Sequence, residues 1–195
     1  MSTHSGLFSW LVPKRNAILA AAAEAVASLG TSAPTAKIAG MAGIAEGTLF
    51  SYFETKDLLL NELYIAIKSE MAAAVLTGHR SEDGLADRWR EVWNRYIDWG
   101  ADHPVKRKAV RQLAVSDRIT KKSLKSAESA IREISTLLDE SLRSGELRDQ
   151  SRDFLMSTME ALAEMTLNFV AREPERREHY KRAGFETLWN AISRR

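Results

Sequence analysis

Hydroxyl side chains gather around one glycine in the stretch TAKIAGMAGIAEGTLFSYFETK, residues 35 to 56. If the residues from Glu46 onward are helical, Glu46, Gly47, Thr48, Ser51 and Tyr52 fall on the outward side. Hydroxyl groups can bond phosphate oxygens or base edges, and a glycine lets a helix backbone approach a groove closely. Thr35, at the start of the stretch, could cap a first helix and offer its end amides to a phosphate. Lys56, at the other end, could reach the phosphate backbone from the far side. The chemistry on offer is reversible recognition of a polyanion.

Covalent chemistry finds less support. Cysteine is absent, which removes disulfides, thiolate–zinc sites and cysteine nucleophiles and suits a reducing, cytoplasmic setting. The histidines His4, His79, His103 and His179 are scattered. No HExxH, GxSxG, phosphate-cradling glycine loop or dinucleotide fingerprint occurs, so no catalytic residue, metal ligand or cofactor is expected. Glu160 and Glu164 stand four apart on an apolar segment. They read as a solvated or ion-paired edge, or as a carboxylate facing a cationic ligand. The Glu-x-x-His spacing of paired metal sites does not accompany them.

The elements that must position these residues are helical throughout. Pro13, Pro34, Pro104 and Pro174 precede apolar runs with helical spacing, as expected of first-turn prolines. Gly30, Gly43, Gly78, Gly84, Gly100 and Gly145 fall between such runs. Ile18, Ala22, Ala25, Val26 and Leu29 share one face of a first helix, and Thr55 can cap a longer one carrying Leu59, Leu63, Ile67 and Met71. A short helix through Val110 and Leu113 follows Pro104, and one helix from Leu124 through Ile131 to Leu142 ends at Gly145. Between Phe154 and Val170 the apolar residues cover more than one face, the pattern of a helix buried on two sides. The last helix carries Phe185, Leu188, Trp189 and Ile192, weakened by Gly184. The reading is all-α with about nine helices: a head of three short helices, then a longer helical body.

Within residues 35 to 56, Ile38 points inward and Ala39 permits a close crossing. Gly43 supplies the backbone of a tight turn, and Ile44, Leu49 and Phe53 return to the core. That is the arrangement of two helices meeting at a steep angle, a helix-turn-helix. Ile18, Ala22, Thr35, Ile38, Ala39, Gly43, Ile44, Gly47, Thr48, Leu49, Phe50, Tyr52, Phe53 and Lys56 together resemble the TetR family of transcription regulators. Phe50 stands where many members have tyrosine, and Ala45 where serine is frequent. The resemblance implies a DNA-binding domain over residues 1–56 and an effector-binding, dimerising domain over residues 57–195. The strings WNRYIDWGADHP, RQLAVSDRIT, ALAEMTLNFVAREP and GFETLW also resemble the multidrug-responsive repressors of that family. By that resemblance Tyr64 and Trp93 line an effector site, and Met156 and Met159 replace an acidic residue and an aromatic one.

Composition bounds these readings. The chain has 195 residues, 45% hydrophobic and 28% charged, and a net charge of +2, so no overall excess announces a nucleic-acid partner. From Met1 to Leu60 four basic residues meet four acidic ones. Residues 1–14 lack the features of a signal peptide, and no uncharged stretch approaches the roughly 18 residues of a membrane helix, so no membrane partner is expected. Trp89, Trp93 and Tyr96 share a helix face. They read as core aromatics or, with flexible Met156 and Met159, as a re-packable pocket for a hydrophobic small molecule, with Glu160 facing any cation. A recognition helix of about seven residues, roughly 10 Å long, touches few base pairs. Two copies on a near-palindromic double-stranded operator are therefore expected. Leu162, Phe169, Leu188 and Trp189 of the last two helices would form the homodimer interface. The other reading is a helical-bundle ligand carrier or small enzyme with a structural head.

Overall fold

The computed structural model describes residues 5–76 and 84–194, with backbone alone for residues 5–12. His4, Gly78 and His79 lie outside the described residues. The helices among them are α1 (Ser5–Leu29), α2 (Thr35–Met41), α3 (Glu46–Tyr52), α4 (Lys56–Leu76), α5 (Leu85–Asp102), α6 (Pro104–Ala114), α7 (Lys121–Ala130), α8 (Arg132–Ser144), α9 (Arg152–Arg172) and α10 (Arg177–Ile192). A 3-10 turn, Pro174–Arg176, precedes α10. The all-α reading holds, with one isolated bridge between Leu147 and Ser193 as the only extended pairing among the described residues. Gly30, Gly43 and Gly145 end or separate helices at φ +80°, +68° and +77°, a region that suits glycine alone.

Three local readings change. Pro13 lies inside α1, which begins at Ser5; its ring forfeits one backbone bond without stopping the helix. The helix expected from Leu124 to Leu142 is two, broken at Ile131 with φ −100° and ψ 20°. α7 buries small Ser123 and Ala127 and leaves Leu124 largely exposed, whereas α8 buries Ile134, Leu137, Leu138 and Ser141. Gly184 strengthens the fold instead of weakening α10. A Cβ there would stand 2.7 Å from Cζ2 of Trp93 and closer still to the Thr166 hydroxyl.

The chain divides into two compact units. The first joins residues 1–68 to residues 104–128, so the division does not fall at residue 56. Ile18, Ala22, Ala25 and Val26 of α1 are fully buried, and α1 packs on α2 and α6. Gln112 of α6 donates to the Ala27 carbonyl at 3.4 Å. Thr55 caps α4 as expected, its hydroxyl accepting from the Leu58 amide. One turn on, buried Asn61 binds the segment between α6 and α7: Nδ2 donates to the Arg118 carbonyl at 2.9 Å and Oδ1 accepts from the Thr120 amide at 2.9 Å. Arg118 also pairs with Asp57 at 2.6 Å.

The second unit holds residues 69–103 and 129–195. Two buried indoles organise it: Trp89 donates to Ser141 Oγ and Trp93 to the Lys181 carbonyl, both at 2.9 Å. Arg177 spans Asp98 and Asp102, and Lys181 binds Asp98 and Glu178, fastening α10 to α5. The side-chain bond from Arg177 holds the Asp102 carboxyl below the usual aspartate range. No helix among the described residues is long and apolar enough to cross a membrane.

Gly184→Ala should therefore destabilise the second unit by about 1–3 kcal/mol, the usual cost of overpacking. Urea unfolding of this variant and of Gly184→Ala/Thr166→Ala measures it, the second change recovering part of the loss.

Candidate functional site

The turn between α2 and α3 is built from backbone alone. The Ala42 amide bonds the Ile38 carbonyl, the Gly43 amide bonds Gly40, and the Ile44 amide returns to Ala39 at 3.0 Å. Ile38, Ala39, Leu49 and Phe53 are buried to within 1% exposure, so α3 is anchored on one side and free on the other. On the free side Glu46, Gly47 and Ser51 are exposed, while Thr48 and Tyr52 are half-buried. No atom lies within 4 Å of a Cβ placed at Gly47. The protein's own packing thus gives no reason for a residue that costs a helix about 1 kcal/mol. The room it leaves is on the outside.

Two expected contacts turn out to meet each other. Thr35 does not cap α2: Pro34 occupies the cap position, which places Thr35 one residue too late. The Thr35 hydroxyl donates instead to Glu46 Oε1 at 2.5 Å, tying the first residue of α2 to the first residue of α3. Ser51 donates to the Gly47 carbonyl at 3.2 Å, a bond to a surface partner that another acceptor can replace. Phe50, next to the buried anchor Leu49, is 40% exposed on α3. Only its spacing from Leu49 could have revealed this.

Lys56 opens α4 four residues after α3 ends. Partial burial and the charge of Arg118 hold its ammonium below the usual lysine range, with Asp57 pulling the other way. Arg118 is itself paired with Asp57, the residue after Lys56.

The residues read as an effector site belong to both units. Tyr64 is buried on α4 in the first unit. Trp89 and Trp93 are buried in the second unit with both indole N–H groups committed, which favours the packing side of the earlier alternative. Tyr96, Met156 and Met159 are half-buried, and Glu160 is exposed. A separate cavity of about 410 Å³ lies between α5 and α10, lined by Arg90, Asn94, Glu178, Lys181, Arg182 and Phe185 among others. None of the expected effector residues lines it. Among the described residues no three His, Asp or Glu side chains gather to hold a metal ion.

The expected interface residues also separate. Leu188 is 1% exposed within the single chain and so belongs to the core, a correction to its assignment; the spacing that places it on one stripe with Trp189 cannot tell an inner face from an outer one. Leu162 and Trp189 are half-buried and Phe169 is exposed. α9 does present a second apolar surface, with Phe154, Met165 and Phe169 uncovered opposite buried Leu155, Ala163 and Leu167.

Residues 18–63 match the family model described as bacterial regulatory proteins, tetR family. Among solved structures, the chain is similar to a tetR family transcription regulator from Shewanella sp. PV-4. Identity is 27% over 93% of this chain and 99% of that one, with a TM-score of 0.82. It is similar in fold to a TetR family transcription regulator from Marinobacter aquaeolei VT8, at 24% identity over 93% and 96% of the two chains and a TM-score of 0.85. It also shares its fold with the TetR-like transcriptional regulator LfrR from Mycobacterium smegmatis, solved in complex with proflavine. That likeness has 19% identity over 90% and 94% of the chains and a TM-score of 0.65. The family model thus matches the segment that holds α2 and α3, and the fold is shared along nearly the whole chain with a solved tetR family transcription regulator.

Proposed function

We propose that the protein is a ligand-responsive repressor that binds a near-palindromic operator duplex as a homodimer and leaves it when a flat, apolar small molecule binds. The observation that carries this is α3: anchored by Leu49 and Phe53, it leaves Glu46, Gly47 and Ser51 exposed, with Thr48 and Tyr52 half-buried beside them. Gly47, Thr48, Ser51 and Tyr52 would meet the groove, with Lys56 on the backbone and Phe50 available to a thymine methyl. Thr35 and Glu46 would set the angle of α3 through their mutual bond.

The uncovered apolar side of α9 supports the dimer, since exposed rings and thioethers on one face usually have a partner. A small-molecule effector is supported by the fold shared with LfrR, which was solved with proflavine. The body strings also resemble the multidrug-responsive repressor RamR. In this reading Tyr96, Met156 and Met159 flex to admit the ligand over the faces of Trp89 and Trp93, and Glu160 faces a cationic group. A ligand moves the equilibrium only by its difference in affinity for two conformations. α4 is the element placed to carry that difference, because its residues 56–68 belong to the first unit and its residues 69–76 to the second.

Tyr52→Ala should weaken binding to a duplex selected from a random pool by about tenfold, and Lys56→Ala should lower the salt slope by about one. Gel shift across a salt series checks both, and unchanged affinity in both variants removes the head assignment.

A charge belongs at the exposed positions of α9, since at Leu188 it would unfold the chain. Met165→Glu/Phe169→Glu should sediment as a monomer and lose operator affinity about a hundredfold, the usual worth of a second site. A variant that stays dimeric places the interface elsewhere.

Proflavine, used as a flat cationic probe, should quench tryptophan fluorescence and release the duplex over one concentration range. Glu160→Gln should shift both curves by about two- to fivefold, the scale of an exposed ion pair. Coincident curves with no shift would remove Glu160 from the site.

A further inference from the structure

The near-neutral chain hides a separation of charge. Residues 1–68 carry five basic and five acidic side chains, whereas residues 104–128, which complete the same unit, carry eight basic and two acidic. The first unit thus holds thirteen Lys and Arg against seven Asp and Glu, and the second unit fifteen against nineteen. The helix-turn-helix that would read DNA has no net charge of its own. The excess that a polyanion requires is brought to it by α6 and α7.

Hydrogen bonds fix where part of that charge sits. Asn61 holds the Arg118 carbonyl and the Thr120 amide, and Arg118 pairs with Asp57, the residue after Lys56. Thr120 in turn caps α7: its hydroxyl accepts from the Ser123 amide and its carbonyl from the Leu124 amide. Lys121 and Lys122, both exposed, are the first residues of α7. Three residues span at most about 11 Å, so Lys121 stays within that distance of Arg118. The first turn of a helix is the end where cations are disfavoured, and α7 has no acidic residue there to offset them. Neither lysine helps the helix it begins.

We propose that Lys121 and Lys122, beside Arg118 at the head of α7, form a second phosphate-binding ridge that grips the DNA backbone outside the segment read by α3. The ridge rests on the reading of the head as a DNA-binding domain. Its occupant is duplex DNA because the ridge is continuous, through Arg118 and Asp57, with Lys56 at the base of that head. The ridge reads no bases, so its contribution is affinity and footprint.

The full-length chain, with a duplex selected from a random pool, tests this. The duplex is made as the minimal site and as the site extended by about one helical turn (~10 base pairs) at each end. Lys121→Ser/Lys122→Ser should bind the extended duplex about tenfold more weakly, with a salt slope lower by about one per lysine in each protomer. It should bind the minimal duplex as the unaltered chain does, and Lys121→Arg/Lys122→Arg should restore the extended-duplex affinity and slope. A serine variant with unaltered slope and affinity overturns the ridge and leaves the head assignment standing. Equal loss on both duplexes moves the lysines into the minimal site and also overturns it. So does unchanged DNA binding together with lost binding to phosphatidylglycerol vesicles, which would make the ridge a membrane contact. An unaltered chain that retains no duplex overturns the head assignment and the ridge together.

Discussion

One buried amide decides what the reading head consists of. Asn61 has no solvent to satisfy it, and it takes its partners from its own helix and from two backbone groups almost sixty residues away. Removing it would leave the Arg118 carbonyl and the Thr120 amide, both part-buried, without this partner, a net cost of about 0.5–1.5 kcal/mol for each bond. That segment then brings α6 onto the alanine-rich face of α1, where small side chains permit a close approach. Residues 104–128, and the charge they carry, join the first unit through the packing of α6 on α1 and the two long-range bonds of this one side chain.

Where function rests on local geometry, it was legible in the sequence. Gly43 takes the positive φ, and Leu49 and Phe53 the burial, that their spacing predicts, because a tight turn between two short helices is specified within about fifteen residues; Ile44 is only half-buried. Failures came where one pattern fits two environments. The stripe from Leu124 to Leu142 has a single helical phase, yet it serves two units and breaks between them. Leu188 sits on a stripe beside Trp189, and periodicity cannot distinguish a core from an interface. Pairwise chemistry was also out of reach. Thr35 and Glu46 were each assigned to the outside, and only the folded chain shows that they engage one another.

The second unit depends on polar groups placed inside an apolar core. Each of the buried indoles Trp89 and Trp93 needs an acceptor, and each finds one on a different neighbouring helix, Ser141 of α8 or the Lys181 carbonyl of α10. Such bonds set the rotation of the helices about their own axes, which packing of leucines alone leaves loosely specified. Gly184 then fixes the distance between α10 and its neighbours. Any ligand admitted near Trp93 has to be accommodated without losing the Lys181 carbonyl from its indole.

The discontinuity of the first unit bears on how the protein can be divided. A fragment ending within α4 contains every residue of the recognition motif, and by sequence it is the natural piece to excise. It would lack the partners of Asn61 and Asp57, expose the face of α1 that α6 covers, and carry no net charge. Such a peptide lacks the packing and the charge excess that residues 104–128 bring to the first unit. The proposed reading head is a property of the whole first unit, and gene fusions that transplant the motif alone would carry the letters without the scaffold.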